Sequence, residues 1–373
     1  MLPRLIKRQS PSKAMVYLSP ILALLLTLLA SIVLFLIMGV SPSGALHAFF
    51  VEPISSIYGL TELMVKATPL ILIGVALSLG FRAGVWNIGA EGQLILGGLF
   101  GGATALFFYE KTGFYIIPLI LIMGVIGGML WAGIVAFLKT RFNANEILTS
   151  LMLSYVAALL LNLLIHGPLK DPDGFNFPES RLFSDSALLP ILYDGTRLHL
   201  GAVIALIVVG IGWVLLSRTL LGYQIKVMGD APAAGEHAGF SHSKIIWTTL
   251  LISGGAAGLA GAIEVSGPIG QLLPNISPGY GFAAIIVAYV GRLHPLGVLF
   301  AALLLALSYL GGETAQMKLN LPVAVTGVFQ GLLLFFLLAC DVLIQYKIRT
   351  SKKSESTIAP AVKSSIKSTS EVK

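Results

Sequence analysis

Residues 18–39 read LSPILALLLTLLASIVLFLIMG. The run holds no ionisable side chain, and a helix of about 20 apolar residues crosses the hydrocarbon core of a bilayer. Residues 327–344, GVFQGLLLFFLLACDVLI, are almost as apolar. The composition extends this to the whole chain. It has 373 residues, 56% hydrophobic and 11% charged, against about 25% charged in a soluble domain. The chain therefore reads as an all-α polytopic membrane protein. A membrane barrel would instead show short segments of alternating hydrophobicity.

The first apolar run follows MLPRLIKRQSPSK. It is too long for a signal peptide and no A-x-A-like site closes it, so it reads as a retained first helix. The single cysteine, Cys340, excludes an intramolecular disulfide. A net charge of +7 reads as the basic bias of cytoplasmic loops rather than as nucleic-acid binding.

Apolar segments near 15–39, 60–79, 88–108, 114–137, 147–165, 200–217, 246–265, 279–291, 296–311 and 322–345 give about ten transmembrane helices. The eighth and ninth are short for full crossings, which suits half-helices that dip in and return. Either way the parity is even. With the N-terminus inside, 18 of the 24 basic residues are cytoplasmic, and six lie outside: Lys66, Lys111, Lys170, Arg181, Arg197 and Lys318. The Lys/Arg bias sets orientation, so both termini are expected in the cytoplasm. The expected organisation is a cytoplasmic arm (1–14), a transmembrane domain (15–345) and a basic, Ser-rich tail (346–373) whose composition suits disorder.

Ten spans divide five plus five, and corresponding spans then run in opposite directions, as in an inverted repeat. NIGAEGQLILGG (87–98), which opens the third span, resembles NISPGYGFAAII (275–286), which opens the eighth.

The stretch FRAGVWNIGAEGQ (81–93) is polar and Gly-rich between two apolar runs. Asn87 is placed to cap a helix beginning at Ile88, with Ala90 where a capping box would need Glu or Gln. Glu91 then falls in the first turn, where the helix dipole favours a negative charge. Two readings stay open: a plain cytoplasmic turn, or a broken helix at membrane depth lining a cavity. An intramembrane charge costs roughly 2.5–3.5 kcal/mol, so a buried Glu91 needs a partner or water. The pairs Gly97/Gly101, Gly98/Gly102 and Gly254/Gly258 are four apart, as in close helix crossings, and read as packing within the chain rather than as a dimer motif.

Two loops stand out. Residues 166–199 form the largest external segment, with exposed aromatics Phe175 and Phe177, suited to capping a pore or meeting a partner. Residues 218–245 form the largest cytoplasmic loop. Within it DAPAAGEHAGF (230–240) reads as a short helix, with Asp230 as its cap and Pro232 near its first turn. The chain has no G-x-x-x-x-G-K-[ST] phosphate-cradling loop. His237 and His242 are five apart, wrong for two metal ligands on one helical face.

FRAGVWNIGAEGQLILGG (81–98), NANEILTSLMLSYVA (143–157), GPLKDPDGFNFPES (167–180) and GYQIKVMGDAPAAGEHAGF (222–240) together resemble permeases of the ribose/branched-chain amino-acid class of binding-protein-dependent ABC importers, a type II permease fold. DPDGFNFP (171–178) inclines the resemblance to the nucleoside branch. The resemblance covers roughly residues 15–345. It implies an ATP-binding-cassette ATPase on a separate chain, which binds the ATP and Mg. It also implies a second permease subunit, a different chain, and an extracytoplasmic substrate-binding lipoprotein at a bacterial plasma membrane. No cofactor, metal or nucleic acid is expected on this chain, and no catalytic residue. The segment coupling it to the ATPase maps onto Gly229, Pro232, Ala233, Ala234, Ala238 and Gly239. The sequence departs from the family at Gly235, usually Ala, and Phe240, usually Ile. Residues for a substrate path or gate are Asn87, Glu91, Gln93, Asn275 and Tyr280.

Nucleosides are the expected substrate, with simple sugars of the ribose or galactose type as the alternative. An ion-coupled secondary transporter would share inverted repeats and broken helices but would need intramembrane ionisable residues, of which Glu91 is the one good candidate. An intramembrane enzyme would need paired acid/base or metal residues within the spans, which the sequence does not offer.

Overall fold

In the computed structural model the described residues are 4–7, 13–174, 176–322 and 324–349. The helices follow the apolar runs, and polar side chains cap some of their starts. After β1 (Arg4–Lys7), α1 spans Lys13–Ile37, α2 is the short Pro42–Leu46, and α3 runs Ile57–Arg82. Ser56 caps α3 by accepting from the Gly59 amide at 3.0 Å. α4 (Ala90–Phe107) and α5 (Ile116–Phe142) follow. α5 ends at Asn143 in the left-handed conformation (φ 51°). Asn145 then caps α6 (Glu146–His166) through the Ile147 and Leu148 amides. α7 (Gly201–Arg218) leads into α8 (Leu220–Asp230) and α9 (Pro232–His237). α10 (His242–Glu264) continues into a π-helical turn, Val265–Ile269. α11 (Tyr280–Val290), α12 (Pro295–Leu319), α13 (Ala324–Gln345) and β2 (Tyr346–Arg349) complete the order.

Two compact units emerge, residues 31–334 and residues 1–30 with 335–373. In the second, β1 and β2 pair antiparallel, with Arg4 opposite Arg349, and Ser19 Oγ donates to Asp341 Oδ1 at 2.6 Å. The expected disorder of 346–373 is therefore corrected at 346–349, which form a strand; residues 350–373 lie outside the described residues.

The first unit is organised around α3, α4 and α10. Nearly every residue of α3 from Ala67 to Phe81 is buried, so α3 is apolar all round and packed all round by α7, α10, α11 and α12. α4 sits among α5, α6, α10 and α11. Glycine allows this density. A Cβ on Gly97 would lie 2.1 Å from Gly258 Cα, and one on Gly128 2.1 Å from the Gly254 carbonyl oxygen. The glycine pairs are thus intrachain packing, in backbone contact between α4, α5 and α10. The outer helices expose large apolar side chains instead, such as Leu159 and Leu163 on α6.

Among the described residues, eight helices are long and apolar enough to cross a membrane: those at Leu18–Ile37, Ile57–Arg82, Ile116–Phe142, Glu146–His166, Gly201–Arg218, His242–Ile269, Pro295–Leu319 and Ala324–Ile344. α4, at 18 residues, is about 27 Å long but carries Glu91 and Gln93. α11 has 11 residues and reaches only about 16 Å, in keeping with a half-helix. The ninth segment is corrected. It is not short but 25 residues long, Pro295–Leu319, because Gly311, Gly312, Glu313 and Thr314 continue the helix past the apolar run.

Candidate functional site

The polar stretch after α3 folds into a buried cluster. Asn87, 2% exposed, donates through Nδ2 to Gln93 Oε1 and to Ser253 Oγ, both at 2.8 Å. Its Oδ1 accepts from the Gly89 amide and from Gln93 Nε2, each at 3.1 Å. The expected cap is therefore corrected. α4 begins at Ala90 rather than Ile88, with Gly89 before it and no side-chain cap; Asn87 Oδ1 reaches the Gly89 amide, one residue short of the helix. The orphan amides at the start of α4 are met from α6. Ile88 N donates to Ser150 Oγ at 3.2 Å, and Gly92 N to Ser154 Oγ at 3.3 Å. These serines stand four apart in NANEILTSLMLSYVA, one face of a helix. That four-residue spacing is the signal in the sequence that both serines face the same neighbour.

Glu91 is 7% exposed and its Oε2 accepts from the Gly281 amide at 2.7 Å. The Ser277 side chain and the Gly279 amide reach the same carboxylate. A Cβ on Gly281 would lie 2.2 Å from Glu91 N, so the first turns of α4 and α11 touch through their backbones. Ser277 Oγ accepts from the Gly279 and Tyr280 amides at 3.1 and 3.0 Å. Tyr280 is buried, edge-to-face with Tyr309 at 5.6 Å. The structure thus joins Asn87 with Gln93 and Glu91 with the start of α11, next to Tyr280. Asn275 is exposed and stands outside this cluster.

The second group of expected residues lies on α8 and α9. The segment 218–245 is mostly helical rather than a loop. Asp230 is the last residue of α8, and α9 starts after Ala231 with no side-chain cap; the expected Asp230 cap is corrected because its backbone still belongs to the preceding helix. Pro232 takes the first helical position, where its missing N–H costs nothing. Ala233, Ala234 and Ala238 are exposed and Gly239 has φ +83°. Gly235 is the buried residue of α9: a Cβ there would lie 2.3 Å from Met228 Sδ. The departure from alanine thus lets α9 fold down on α8. Gly229 does the same one layer deeper, its Cβ position 1.8 Å from the Arg82 carbonyl oxygen. Below it Leu79, Val85, Leu216, Ile225, Met228 and Leu250 share one apolar cluster. Arg82 Nε donates to the Leu293 carbonyl at 2.8 Å, and Phe81, Trp86 and Tyr289 stack with centroids 5.2–5.9 Å apart.

The segment 166–199 is tied down rather than loose. Ser180 N donates to the Leu272 carbonyl at 3.0 Å, Phe183 N to that of Gly270 at 2.8 Å, and Leu189 N to that of Ser266 at 2.8 Å. Arg197 forks onto the buried Glu62 carboxylate of α3 at 3.0 and 2.5 Å, a charge-assisted pair that sequence spacing does not reveal. The hydrogen bonds that Arg197 donates to Glu62, and the Glu62 charge, hold its guanidinium above its ordinary range. His199 Nδ1 accepts from the Gly201 amide at 3.1 Å, and burial lowers the imidazole to about 4. Phe177 is exposed; Phe175 lies outside the described residues.

Long apolar helices packed around a buried polar junction mark a multi-pass membrane protein. Residues 59–338 match the family described as the permease component of the branched-chain amino acid transport system, and the chain belongs to that family. It is similar to the glucose ABC transporter permease protein TsgB13 of Haloferax volcanii, with 34% identity covering 92% of this chain and 93% of that one. It is also similar to the guanosine ABC transporter permease protein NupP of Bacillus subtilis, with 31% identity covering 85% and 91%. A third relative is the nucleoside ABC transporter permease protein NupB of Lactococcus lactis subsp. cremoris, with 27% identity covering 91% and 95%. The chain is an ABC importer permease of the sugar/nucleoside type, a multi-pass protein of the plasma membrane.

Proposed function

We propose that this chain forms the path for nucleosides in an importer whose ATPase, second permease subunit and substrate-binding lipoprotein are separate chains. ATP and Mg then belong to the ATPase. The observation that carries the reading is α9: a six-residue helix presenting Ala233 and Ala234 to its surroundings and braced through Gly235 and Gly229 on α8 and α3. A braced knob of small residues on the cytoplasmic side suits the groove of a motor subunit. Relatives named for guanosine and nucleoside transport and the DPDGFNFP segment support the substrate.

The domain and membrane arrangement proposed is ten segments in a five-plus-five inverted repeat, both termini inside. The junction of Glu91 with Gly281 supports it, since α4 and α11 open the two similar segments. It also favours the membrane-depth reading of 81–93 over a plain turn.

A second reading, a simple-sugar permease, is favoured by the 34% identity to the glucose permease. Uptake of labelled guanosine, inosine, uridine, glucose and ribose, in cells with and without this gene, separates the two. Nucleoside uptake that disappears with the gene bears the proposal out. Loss of sugar uptake alone replaces it with the second reading.

A further inference from the structure

A cavity of about 300 Å³ lies between α12, the start of α13 and Pro278. Tyr309, Glu313, Gln316, Thr326 and Gln330 line it. Two larger grooves on the outer helices are walled by side chains such as Leu99, Phe100, Ile126 and Phe137 and suit lipid chains. The cavity at α12 and α13 offers a phenol, two amides, a hydroxyl and a carboxylate, a mixed set of donors and acceptors.

We infer that this cavity is a substrate subsite for one neutral, hydroxyl-bearing ring compound, a nucleoside or a monosaccharide, held within a single permease chain. The inference rests on the importer reading above. Three features carry it. The volume is at the low end of ligand pockets, about 300–1,000 Å³, which fits one small polar solute.

The charge is balanced. Lys66 Nζ meets Glu313 Oε1 at 2.7 Å, leaving the second carboxylate oxygen for a substrate hydroxyl. The neighbouring cations are likewise committed, Lys318 to Glu52 and Arg197 to Glu62. A phosphate or carboxylate calls for a cation or several N–H donors, and here it would face Glu313.

The wall is also fixed in place. Gln330 Nε2 donates to the buried Ser308 Oγ at 3.3 Å, and Tyr309 shares a hydrogen bond with Gln330. Pro278 stands between Ser277 and Gly279, the residues that hold the start of α11 against Glu91, so the cavity borders the junction of the two half-helices.

Gly327 gives a clean handle. It lines the cavity, and a Cβ there would meet nothing within 4 Å. A Cβ is therefore accommodated without a clash, and replacing a helical glycine by alanine favours the helix.

The test uses the transporter assembled with its ATPase, partner permease and binding protein in proteoliposomes. Wild type is first assayed with guanosine, uridine, glucose and ribose. Gly327→Ala should retain uptake of whichever is carried, and Gly327→Leu should lower it at least about tenfold at unchanged assembly. In a Cys340→Ala background, thiol labelling of Gln316→Cys should slow at least about tenfold when the carried solute is added. The matching 5′-monophosphate or sugar phosphate should not slow it. Labelling of Asp194→Cys, at the exposed loop, should not respond.

The labelling decides the matter even where Gly327→Leu fails to assemble. Uptake by wild type without protection at Gln316→Cys overturns the cavity assignment alone. Protection by the phosphate as strong as by the neutral solute overturns the substrate class. Uptake of neither nucleosides nor sugars overturns the importer reading and this inference with it.

Discussion

The Glu91 carboxylate accepts from the Gly281 amide at 2.7 Å across a sequence separation of 190 residues. The segments around the two residues are the ones whose sequences resemble each other. Their helices, α4 and α11, begin at the same point inside the protein. A helix N-terminus carries unpaired N–H groups and a partial positive charge, and two such ends in contact would repel. The Glu91 side chain lies between them, and its carboxyl oxygens accept from N–H groups at the start of α11.

Gly281→Ala is expected to destabilise the protein, because the new Cβ would lie 2.2 Å from Glu91 N and backbone cannot yield as a flexible side chain can. Overpacking of this kind costs about 1–3 kcal/mol or more. Glu91→Gln should be milder than Glu91→Ala, since an amide oxygen can still accept from Gly281. Thermal midpoints of the purified protein in detergent check both. A midpoint for Gly281→Ala equal to wild type would mean that the two helix ends are not in contact.

Much of this fold was legible in the sequence, and what was missed has a common cause. Apolar runs located the long helices because a bilayer demands them. The NIG/NIS likeness picks out two segments that meet at Glu91 and Gly281, and the polar residues of 81–93 stand out in the sequence between two apolar runs. Neither Asn87 nor Asp230 caps the helix that local spacing suggests, because α4 starts at Ala90, three residues past Asn87, and α8 runs on through Asp230. The sequence understates the length of α12 because Gly311, Gly312 and Glu313 look like a break, yet the helix runs on to Leu319 and Lys66 from α3 pairs with Glu313. Glu62 with Arg197, and the serines of α6, are tertiary partners that periodicity cannot assign.

Stability should fall with acid through His199. The ordinary histidine value is near 6.5, and burial lowers this one to about 4, against a raising influence from Glu62 and a further lowering one from Arg197. The folded form therefore stays neutral where the unfolded chain takes up a proton. The contribution is fully present above about pH 6.5 and is lost as the pH falls toward 4, up to about 3 kcal/mol in all. His199→Asn keeps an acceptor for the Gly201 amide but does not titrate. Melting curves of wild type and His199→Asn should diverge between pH 6.5 and 4, with wild type falling faster. Parallel curves would show that His199 titrates normally.

Gly229 transmits contact between α8 and the end of α3. A Cβ at 229 would sit 1.8 Å from the Arg82 carbonyl oxygen, so Gly229→Val should push α8 off α3 and open the cluster of Leu79, Val85 and Met228. The expected cost is about 1–3 kcal/mol, with faster hydrogen exchange across 220–237 and little change in α5 or α6. Exchange that rises uniformly over the chain would point to global destabilisation instead.

Ala234→Glu separates packing within the chain from contact with a partner. Ala234 is exposed, and the residue that faces inward from α9 is Gly235, against Met228. A glutamate at 234 therefore meets no atom of its own chain that would resist it, and surface changes away from special features usually stay within about 0.5 kcal/mol. Expression, membrane insertion and melting temperature should match wild type. On a partner's surface the same carboxylate would have to be desolvated or accommodated, and an uncompensated buried charge is strongly unfavourable. If α9 docks into the ATPase, co-purification of the ATPase should weaken and ATP-dependent uptake should drop at least about tenfold. Gly235→Ala makes the contrasting control. It should move the melting temperature through the Met228 clash, and affect transport only as far as the fold is disturbed. Unchanged uptake and co-purification in Ala234→Glu, with normal folding, would place the coupling contact elsewhere than α9.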